Sequence, residues 1–128
     1  MEKRITGLGG VFLKFKEPKL ATAWYDKHLG TSFGDQTYQT FEWRDLENPD
    51  KKCQTAFSLF SDGSEYFAPS KGSFMMNFRV EDLEGLLETL KGEGVTVVGE
   101  IEQYGEFGKF AWILDPEGNK IELWEAAD

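Results

Sequence analysis

Glu122 is the side chain whose type and setting are best suited to chemistry. It lies between Ile121 and Leu123 near the end of the chain. Successive side chains of a strand point to opposite faces, so Glu122 points away from its two apolar neighbours. It therefore either faces water or lies inside a pocket. In a pocket, a carboxylate acts as a metal ligand, a general base or an acceptor for a ligand's OH or NH group.

His28 and Cys53 are the only histidine and the only cysteine. A single histidine excludes a multi-histidine metal site within one chain, and its place in a predicted apolar helix favours a core or helix-end role. A single cysteine allows no internal disulfide, which agrees with a reducing cytoplasm. Arg79 either pairs with an acidic ligand group or, as the sequence favours, with one of the many carboxylates.

Charge excludes some partners. The 128 residues carry a formal net charge of −9, with 14 basic and 23 acidic side chains. A nucleic-acid-binding domain needs a basic stripe, and an anionic membrane surface also attracts basic segments. The chain has no apolar window of the ~18–20 residues that a membrane span requires, and its first residues lack an apolar run of signal-peptide length. We expect a soluble, cytoplasmic protein.

The first half predicts a strand, a helix and further strands. Val11, Leu13 and Phe15 alternate with Phe12, Lys14 and Lys16, as in a partly buried strand. Apolar residues at helical spacing then run from Leu20 to Gly30, including the row Leu20, Trp24 and His28. Two β-rich runs follow the predicted helix, Gln36–Leu46 and Gln54–Phe60.

The second half repeats the first. Met76, Phe78 and Val80 match the first strand at an offset of 65, and Asp82 can cap a second helix. Three β-rich runs follow: Val95–Val98, Phe107–Leu114 and Lys120–Glu125. The predicted organisation is a first module over residues 1–62, a linker over 63–73 and a second module over 74–128, in one compact domain.

Turn chemistry marks two connections near the end of the chain. The run Asp115-Pro116-Glu117-Gly118-Asn119 predicts a tight turn between the last two strands. The run Tyr104-Gly105-Glu106-Phe107-Gly108 is either a plain hairpin connection or a mobile loop at the mouth of a cleft.

Two small modules would pack as a pair, with a cleft lined by a sheet from each. Small-molecule pockets are mostly apolar with a few placed polar groups. The chain has aromatic residues that either line such a cleft or simply fill the core: Phe41, Trp43, Phe57, Phe110, Trp112 and Trp124.

The ordered motifs resemble the vicinal oxygen chelate superfamily, which includes glyoxalases, bleomycin-resistance proteins and extradiol dioxygenases. The resemblance is carried by the stretches Glu17–Gly30, Phe78–Leu83 and Asp115–Trp124, which span nearly the whole chain. It implies an α+β fold of two βαβββ modules, with eight strands in mixed sheets that curl into an open cup. It also implies that many relatives dimerise.

The resemblance further implies a divalent metal in the cup, held by one ligand from the first strand and one from the last strand of each module. These positions fall on Gly10, Ser58, Glu122 and Met75, or on Phe74 if the register slips. Glycine offers no donor atom, and a thioether does not suit the hard or borderline ions of such sites. We therefore expect no metal at the usual position.

The leading hypothesis is a metal-free, cytoplasmic protein that binds an apolar or aromatic small molecule in the cup, without nucleic-acid or membrane partners, and forms a homodimer. The alternatives are a metal-dependent lyase, isomerase or dioxygenase with unusual ligands, and a metal-independent catalyst that uses Glu122. The predicted ligand-binding residues are Phe41, Trp43, Phe57, Ser58, Asn77, Trp112 and Trp124, and Glu122 is the predicted catalytic residue.

Overall fold

A computed structural model describes residues 4–127 of the chain. Within that range all seven strands form one mixed sheet, in the order β2-β3-β1-β4-β7-β6-β5. The elements in chain order are β1 (Gly7–Phe15), α1 (Pro18–Leu29), β2 (Tyr38–Arg44), β3 (Lys52–Ser61), β4 (Phe74–Arg79), α2 (Leu83–Gly92), β5 (Val97–Tyr104), β6 (Gly108–Leu114) and β7 (Lys120–Ala126).

The α+β class is confirmed, and the strand count is corrected. The described residues contain seven strands instead of eight, because the first half has two strands after its helix where three were expected. The Asp26 carboxylate explains the difference. It accepts hydrogen bonds from the Phe33 N–H at 2.9 Å, the Gly34 N–H at 3.0 Å and the Thr31 hydroxyl at 2.7 Å. Backbone donors held by a side chain in this way do not join a strand ladder.

The two halves share one continuous sheet instead of contributing separate facing sheets. β1 and β4 pair antiparallel at its centre and join the halves. The internal repeat is visible in the strand register: Phe12 of β1 lies beside Ser58 of β3, and Asn77 of β4 lies beside Glu122 of β7. The offsets of 65 between Phe12 and Asn77 and of 64 between Ser58 and Glu122 match those in the sequence.

Both helices pack on the same face of this sheet. Leu83 and Leu87 of α2 form a buried cluster with Val80, Ala111 and Leu123. On the other half, the ring of Tyr25 in α1 contacts the rings of Phe15 and Phe57. Alternation along the paired strands assigns these sheet residues to one face, which we call the helix face. The opposite face, which carries Phe12, Met75, Asn77 and Glu122, is called the open face.

Only part of the apolar stripe predicted for α1 faces the sheet. Leu20 is 69% exposed and Trp24 is 53% exposed, whereas Thr22 is buried. The row of Ala21 and Tyr25 makes the contact with the sheet, so the row of Leu20 and Trp24 points to solvent. His28 is also exposed, and its ring lies 5.1 Å from that of Trp24. Of the two roles predicted for His28, the structure supports the position at the end of α1 and not a place in the core.

The remaining elements lie close to their predicted bounds. Asp82 caps α2 as expected, since its carboxylate accepts the Gly85 N–H at 3.1 Å. β5 differs most, because it continues to Tyr104 where the sequence predicted an end at Val98. Residues 62–73 separate β3 from β4, and the division into modules over 1–62 and 74–128 stays a prediction.

The closing hairpin forms as predicted. Asp115 holds the turn, because its carboxylate accepts the backbone N–H groups of Glu117 and Asn119, each at 2.9 Å. The side-chain amide of Asn119 and these N–H groups lower the pKa of Asp115. Gly118 takes a positive φ of 81° within the turn. The turn fixes the register in which Glu122 of β7 lies opposite Trp112 of β6.

In the described part of the chain, neither helix has the length and apolar character that a bilayer crossing demands.

Candidate functional site

Glu122 lies on the open face and is 2% exposed. Three donors from different parts of the chain occupy its two oxygens. The Asn77 amide nitrogen donates to Oε1 at 2.6 Å, the Trp112 indole N–H donates to Oε2 at 2.8 Å, and the Tyr66 hydroxyl also donates to Oε2. The sheet positions the first two, because β4 and β6 are the neighbours of β7 on either side.

Burial dominates the electrostatics of this carboxylate. Desolvation raises the pKa of Glu122, while the hydrogen bonds from Tyr66, Trp112 and Asn77 lower it, and burial is the larger effect. The same burial, together with the charge of Glu122, raises the pKa of Tyr66, so its phenol stays protonated and remains a donor. A carboxylate with a raised pKa is a feature of both general bases and structural networks.

Tyr66 reaches Glu122 from the segment that the sequence identified as a linker. Its neighbour Phe67 is 0% exposed and packs with Phe12, Met75 and Trp112. Lys120 anchors the segment, since its ammonium donates to the Tyr66 carbonyl at 2.8 Å. The segment is thus part of the site and covers the carboxylate.

Sequence reasoning missed Tyr66, although a signal was present. Tyr66 and Phe67 are adjacent aromatic residues in a stretch otherwise made of small, polar or charged residues and one proline. A solvated linker has no use for two large apolar side chains, so this pair was the indication that the segment packs against the sheet.

Asn77 is held tightly beside the carboxylate. It is 2% exposed, and its side-chain oxygen has no hydrogen-bond partner among residues 4–127. A Cβ on Gly9 would lie 2.1 Å from that oxygen, so the glycine leaves the space that Asn77 fills. Asn77 therefore uses its donor on Glu122 and leaves an acceptor unused.

The structure separates the predicted site residues between the two faces. Ser58, Asn77, Trp112, Trp124 and Glu122 lie on the open face; β4, β7 and β6, which carry the last four, are neighbouring strands, whereas β1 separates Ser58 of β3 from them. Phe41, Trp43 and Phe57 occupy alternate positions to Ser58 and its partner Tyr38 along β2 and β3, so they start from the opposite side, although the Trp43 ring reaches the guanidinium of Arg79 at 5.9 Å. This placement corrects the expectation that all eight residues share one cleft.

Phe41, Trp43 and Phe57 have surroundings of their own, away from Glu122. Phe57 packs on α1 and on Phe33, with ring centroids 5.3 Å from Tyr25 and 5.4 Å from Phe33. Phe41 is 51% exposed. The Trp43 indole donates to the Thr55 hydroxyl at 2.8 Å. Strict alternation along a strand already excludes Phe57 and Ser58 from lining the same surface.

Three aromatic rings lie together on the open face beside Glu122, one exposed, one half-buried and one buried. The rings of Phe110 and Trp124 stack with their centroids 5.8 Å apart and an interplanar angle of 5°. Tyr104, 48% exposed, contacts the edge of Phe110 at 5.6 Å. The Trp124 indole N–H donates to the Phe107 carbonyl at 2.7 Å, which fixes the ring. We call these three rings, Tyr104, Phe110 and Trp124, the aromatic wall.

A cavity of about 250 Å³ adjoins the aromatic wall where β7 ends. Arg79 closes its inner end: the side chain is buried, and its guanidinium lies 4.9 Å from the Trp124 ring and 5.9 Å from the Trp43 ring. Arg79 makes further interactions besides these ring contacts. The cavity is lined by Lys52, Gln54, Arg79, Glu106, Phe107 and Trp124, among others.

The loop at residues 104–108 forms a tight hairpin between β5 and β6. The Phe107 N–H donates to the Tyr104 carbonyl at 2.8 Å, and β5 pairs with β6 up to Tyr104 and Gly108. The loop carries Glu106 and Phe107 to the rim of the cavity, so it borders the candidate site.

The residues at the four implied metal positions do not fit a divalent cation. A Cβ on Gly10 would lie 2.7 Å from the ring of Phe12, so this position has no donor and no room for one. Met75 is wholly buried in the apolar cluster. Both oxygens of Glu122 accept hydrogen bonds from the protein. Among residues 4–127, no group of three or more His, Cys, Asp or Glu side chains is placed to hold a metal.

The Glu122 network predicts a contrast between two substitutions. Glu122→Ala leaves three buried donors without an acceptor, and we expect a loss of about 3 kcal/mol or more in the free energy of unfolding. Glu122→Gln keeps one acceptor for Tyr66 and Trp112 and offers an NH₂ group to the unused oxygen of Asn77. We expect it to change stability by less than about 1 kcal/mol at neutral pH. Urea unfolding measures both values, with Glu47→Gln as an exposed control.

The raised pKa of Glu122 also predicts the pH dependence of stability. Between the ordinary value of 4.5 and the raised value, the folded chain binds more protons than the unfolded chain. The contribution of Glu122 to the unfolding free energy therefore falls as pH rises through that window and is constant above it. Glu122→Gln should remove this fall. Two results would contradict the network. One is the same pH dependence of the unfolding free energy in the unmodified protein and in Glu122→Gln; the other is a Glu122→Ala variant that is as stable as the unmodified protein.

Comparison with known proteins supports the fold. Methylmalonyl-CoA epimerase from Mycobacterium tuberculosis is 23% identical, with a TM-score of 0.63, and the match covers 100% of this chain and 93% of that chain. A variant of the Streptomyces coelicolor epimerase in complex with 2-nitronate-propionyl-CoA is 15% identical, with a TM-score of 0.69 and coverage of 97% and 99%. At these identities the likeness shows the fold alone.

A third solved structure bears a different name. It is described as an NAD-dependent benzaldehyde dehydrogenase from Legionella pneumophila and is 15% identical, with a TM-score of 0.59 and coverage of 91% and 97%. A search of curated proteins gave no match. The sequence profile of the Glyoxalase/Bleomycin resistance protein/Dioxygenase superfamily matches residues 10–123. This match covers most of the chain, and the protein therefore belongs to the Glyoxalase/Bleomycin resistance protein/Dioxygenase superfamily.

Proposed function

We propose that this chain is a metal-independent, small-molecule-binding protein of the superfamily, and that it holds an apolar or aromatic ligand against the aromatic wall. The observation that carries the proposal is the cavity of about 250 Å³ bordered by Trp124, next to the stacked Phe110 and Trp124 rings. Both described helices pack on the helix face, so the open face beside these rings carries no helix; Phe110 is half-buried there and Trp124 is buried, with 9% of its surface exposed.

In this proposal Glu122 stabilises the residues next to the ligand site and does not contact the ligand itself. Its two oxygens are saturated by Tyr66, Trp112 and Asn77, and Tyr66 covers it from the solvent side. Trp112 likewise directs its N–H inward. Of the ligand-binding residues expected from the sequence, the proposal keeps Trp124 at the site and gives Asn77 and Trp112 supporting roles, while Ser58 lies on β3 beside Phe12 and does not line the cavity.

The donor set supports independence from a metal. Gly10, Met75 and Ser58 at three of the four family positions offer at most one weak ligand, the Ser58 hydroxyl. A metal-independent catalyst that uses Glu122 as a base is the second candidate, and the raised pKa of Glu122 favours it. Binding is the better-supported function, because proton transfer needs Tyr66 to leave the carboxylate first.

The solved relatives are described as binding acyl-CoA molecules, such as methylmalonyl-CoA and 2-nitronate-propionyl-CoA. This agrees with a small-molecule role at the level of the superfamily, and it does not define the ligand of this chain. A cytoplasmic location, expected from the single cysteine, remains part of the proposal.

The ligand proposal is tested by quenching of tryptophan fluorescence across a panel of one-ring and two-ring aromatic molecules, some neutral and some charged. We expect saturable quenching by part of the panel, unchanged after dialysis against EDTA. Phe110→Ala removes the ring that stacks on Trp124 and should weaken binding by about tenfold.

Phe41→Ala is the matched control, because Phe41 is an exposed aromatic residue on the other side of the sheet. It should bind as tightly as the unmodified protein, and circular dichroism checks that both variants fold. Absence of quenching across the whole panel, or equal loss in both variants, would overturn the ligand site. Loss of binding after EDTA that a divalent metal restores would overturn metal independence.

We also propose a homodimer, in which α1 of one copy contacts the groove between α2 and β5 of the other. The exposed residues Leu20 and Trp24 on α1 are flanked by Lys19 and Lys27. The groove is apolar and acidic, so its charge complements that of α1. It is lined by Leu87, Val97, Ile101, Glu84, Glu88 and Glu100, together with Gly99 and Lys91. In a two-fold pair this contact is made twice.

Light scattering coupled to size-exclusion chromatography tests the dimer. The unmodified protein should have twice the mass of one chain, and Trp24→Glu should have the mass of a single chain. Phe41→Glu is the control, because Phe41 has nearly the same exposure, 51% against 53%, but lies on β2. A monomeric unmodified protein at high concentration, or a dimeric Trp24→Glu variant, would refute this interface.

A further inference from the structure

We propose that the centre of the open face is a binding site for a phenol, and that the side chain of Tyr66 occupies it as a ligand supplied by the chain itself. The site is distinct from the aromatic wall, and the inference does not depend on the ligand proposed there. Tyr66 makes an autoinhibitory contact in this view, because its hydroxyl holds the place on Glu122 that an external ligand would take.

The side chain of Tyr66 is surrounded as a bound phenol would be. Its ring stacks on that of Phe60, with centroids 5.5 Å apart and an interplanar angle of 7°. The indole of Trp112 lies edge-on at 6.3 Å and 89°, and the Lys120 ammonium lies 5.2 Å from the ring centroid. The hydroxyl donates to Oε2 of Glu122. Apolar rings with a few placed polar groups are the usual lining of a small-molecule site.

The surrounding groups belong to the sheet, whereas their occupant does not. The stacking ring is on β3, the edge-on indole is on β6, and the ammonium and the acceptor are on β7. Tyr66 lies in the segment 62–73, between the end of β3 and the start of β4. Groups on strands keep their geometry better than groups on loops. The sheet therefore provides the receptor, and the connecting segment provides the ligand.

The hydrogen bonds of Glu122 define what the receptor selects. Asn77 donates to Oε1, and Trp112 and Tyr66 donate to Oε2. The first two donors come from the sheet, so the position of the Tyr66 hydroxyl is the one that an external donor can take. A carboxylate repels an anion at this position, and a hydrocarbon offers it no donor. A flat ring with one neutral hydroxyl meets both requirements.

The backbone that carries Tyr66 is held independently of its ring. Phe67, the next residue, is 0% exposed and belongs to the apolar cluster under the segment. The Lys120 ammonium donates to the Tyr66 carbonyl at 2.8 Å, and the Lys120 backbone N–H donates to the Ser70 hydroxyl. Truncation of Tyr66 at Cβ therefore leaves the segment in place and opens a cavity of the size of a phenol beside Glu122.

The attachment of Tyr66 to the chain makes it a strong competitor for this site. A group held near its site by a short piece of chain acts at an effective concentration on the order of millimolar. An external phenol with the same contacts does not displace Tyr66 at lower concentrations. Tyr66 thereby keeps aromatic molecules away from Glu122 and leaves them the aromatic wall.

Tyr66→Ala tests the inference with two probes. p-Cresol has the ring and the hydroxyl of the removed side chain, whereas toluene lacks the hydroxyl. Calorimetric titration should show that the variant binds p-cresol about tenfold more tightly than toluene, because a hydrogen bond to a charged group separates the two. The Trp112 indole N–H signal should move when p-cresol is added to the variant and stay in place in the unmodified protein.

Two further variants serve as controls. Tyr38→Ala removes a tyrosine of the same sheet face that is 47% exposed, so it opens no enclosed cavity and should behave as the unmodified protein. Tyr66→Phe keeps the ring and loses only the hydroxyl, so it should still exclude p-cresol from the centre. Binding at the aromatic wall is common to all these proteins and leaves the Trp112 signal in place, so the two proposals fail separately.

Three results would overturn the inference. A Trp112 signal that p-cresol does not move in Tyr66→Ala, or equal affinity for p-cresol and toluene, would remove the phenol site. A signal that moves equally in the unmodified protein would remove the role of Tyr66 as its occupant. If Tyr66→Ala does not fold alone, p-cresol added during refolding should restore the circular dichroism of the folded protein and toluene should not. Failure of that rescue would also overturn the proposal.

Discussion

The buried carboxylate of Glu122 is the interaction on which the rest of the site depends. It connects β7 to β4 through Asn77, to β6 through Trp112, and to the segment between β3 and β4 through Tyr66. A carboxylate removed from water is costly unless donors surround it, so each of the three donors is needed in place. The network therefore fixes how the 62–73 segment lies across the open face.

This arrangement converts a position associated with metal binding into a structural one. In the family pattern, the carboxylate on the last strand would have ligands opposite it on the first strands. Here those places hold Gly10 and Met75, and Phe67 fills the space against Met75. With the centre occupied by protein side chains, the accessible part of the open face shifts toward Tyr104 and Phe110, beside the buried Trp124. The proposed ligand site lies there, where the stacked rings border a cavity.

Much of the fold was predictable, because it depends on local patterns. Alternation in β1, β4 and β7, the Asp82 cap and the Asp115 turn are each set by a few neighbouring residues. The missing strand before β2 was not predictable in this way. It depends on Asp26 capturing the N–H groups of Phe33 and Gly34, a contact between a helix and the loop that follows it.

The site was predictable only in part. The sequence and the resemblance identified Glu122 and, through the register of the repeat, its position beside Asn77. They could not reveal that Tyr66 folds back onto the carboxylate, because 56 residues separate the two. Phe57 was assigned to the wrong face since aromatic character outweighed alternation in the sequence argument, and the sequence did not reveal that Arg79 is buried beside two indole rings.

The most direct test follows the indole N–H signals of the four tryptophans by nuclear magnetic resonance while the tightest-binding aromatic molecule of the fluorescence panel is added, with and without Zn²⁺. Trp124 borders the proposed site, whereas Trp112 donates to Glu122 beneath it. The account predicts that the Trp124 signal moves with the aromatic molecule and that the Trp112 signal stays in place under both additions. A Trp112 signal that shifts or broadens with Zn²⁺ or with the aromatic molecule would contradict it, because Glu122 would then be a ligand-binding group and not a structural one.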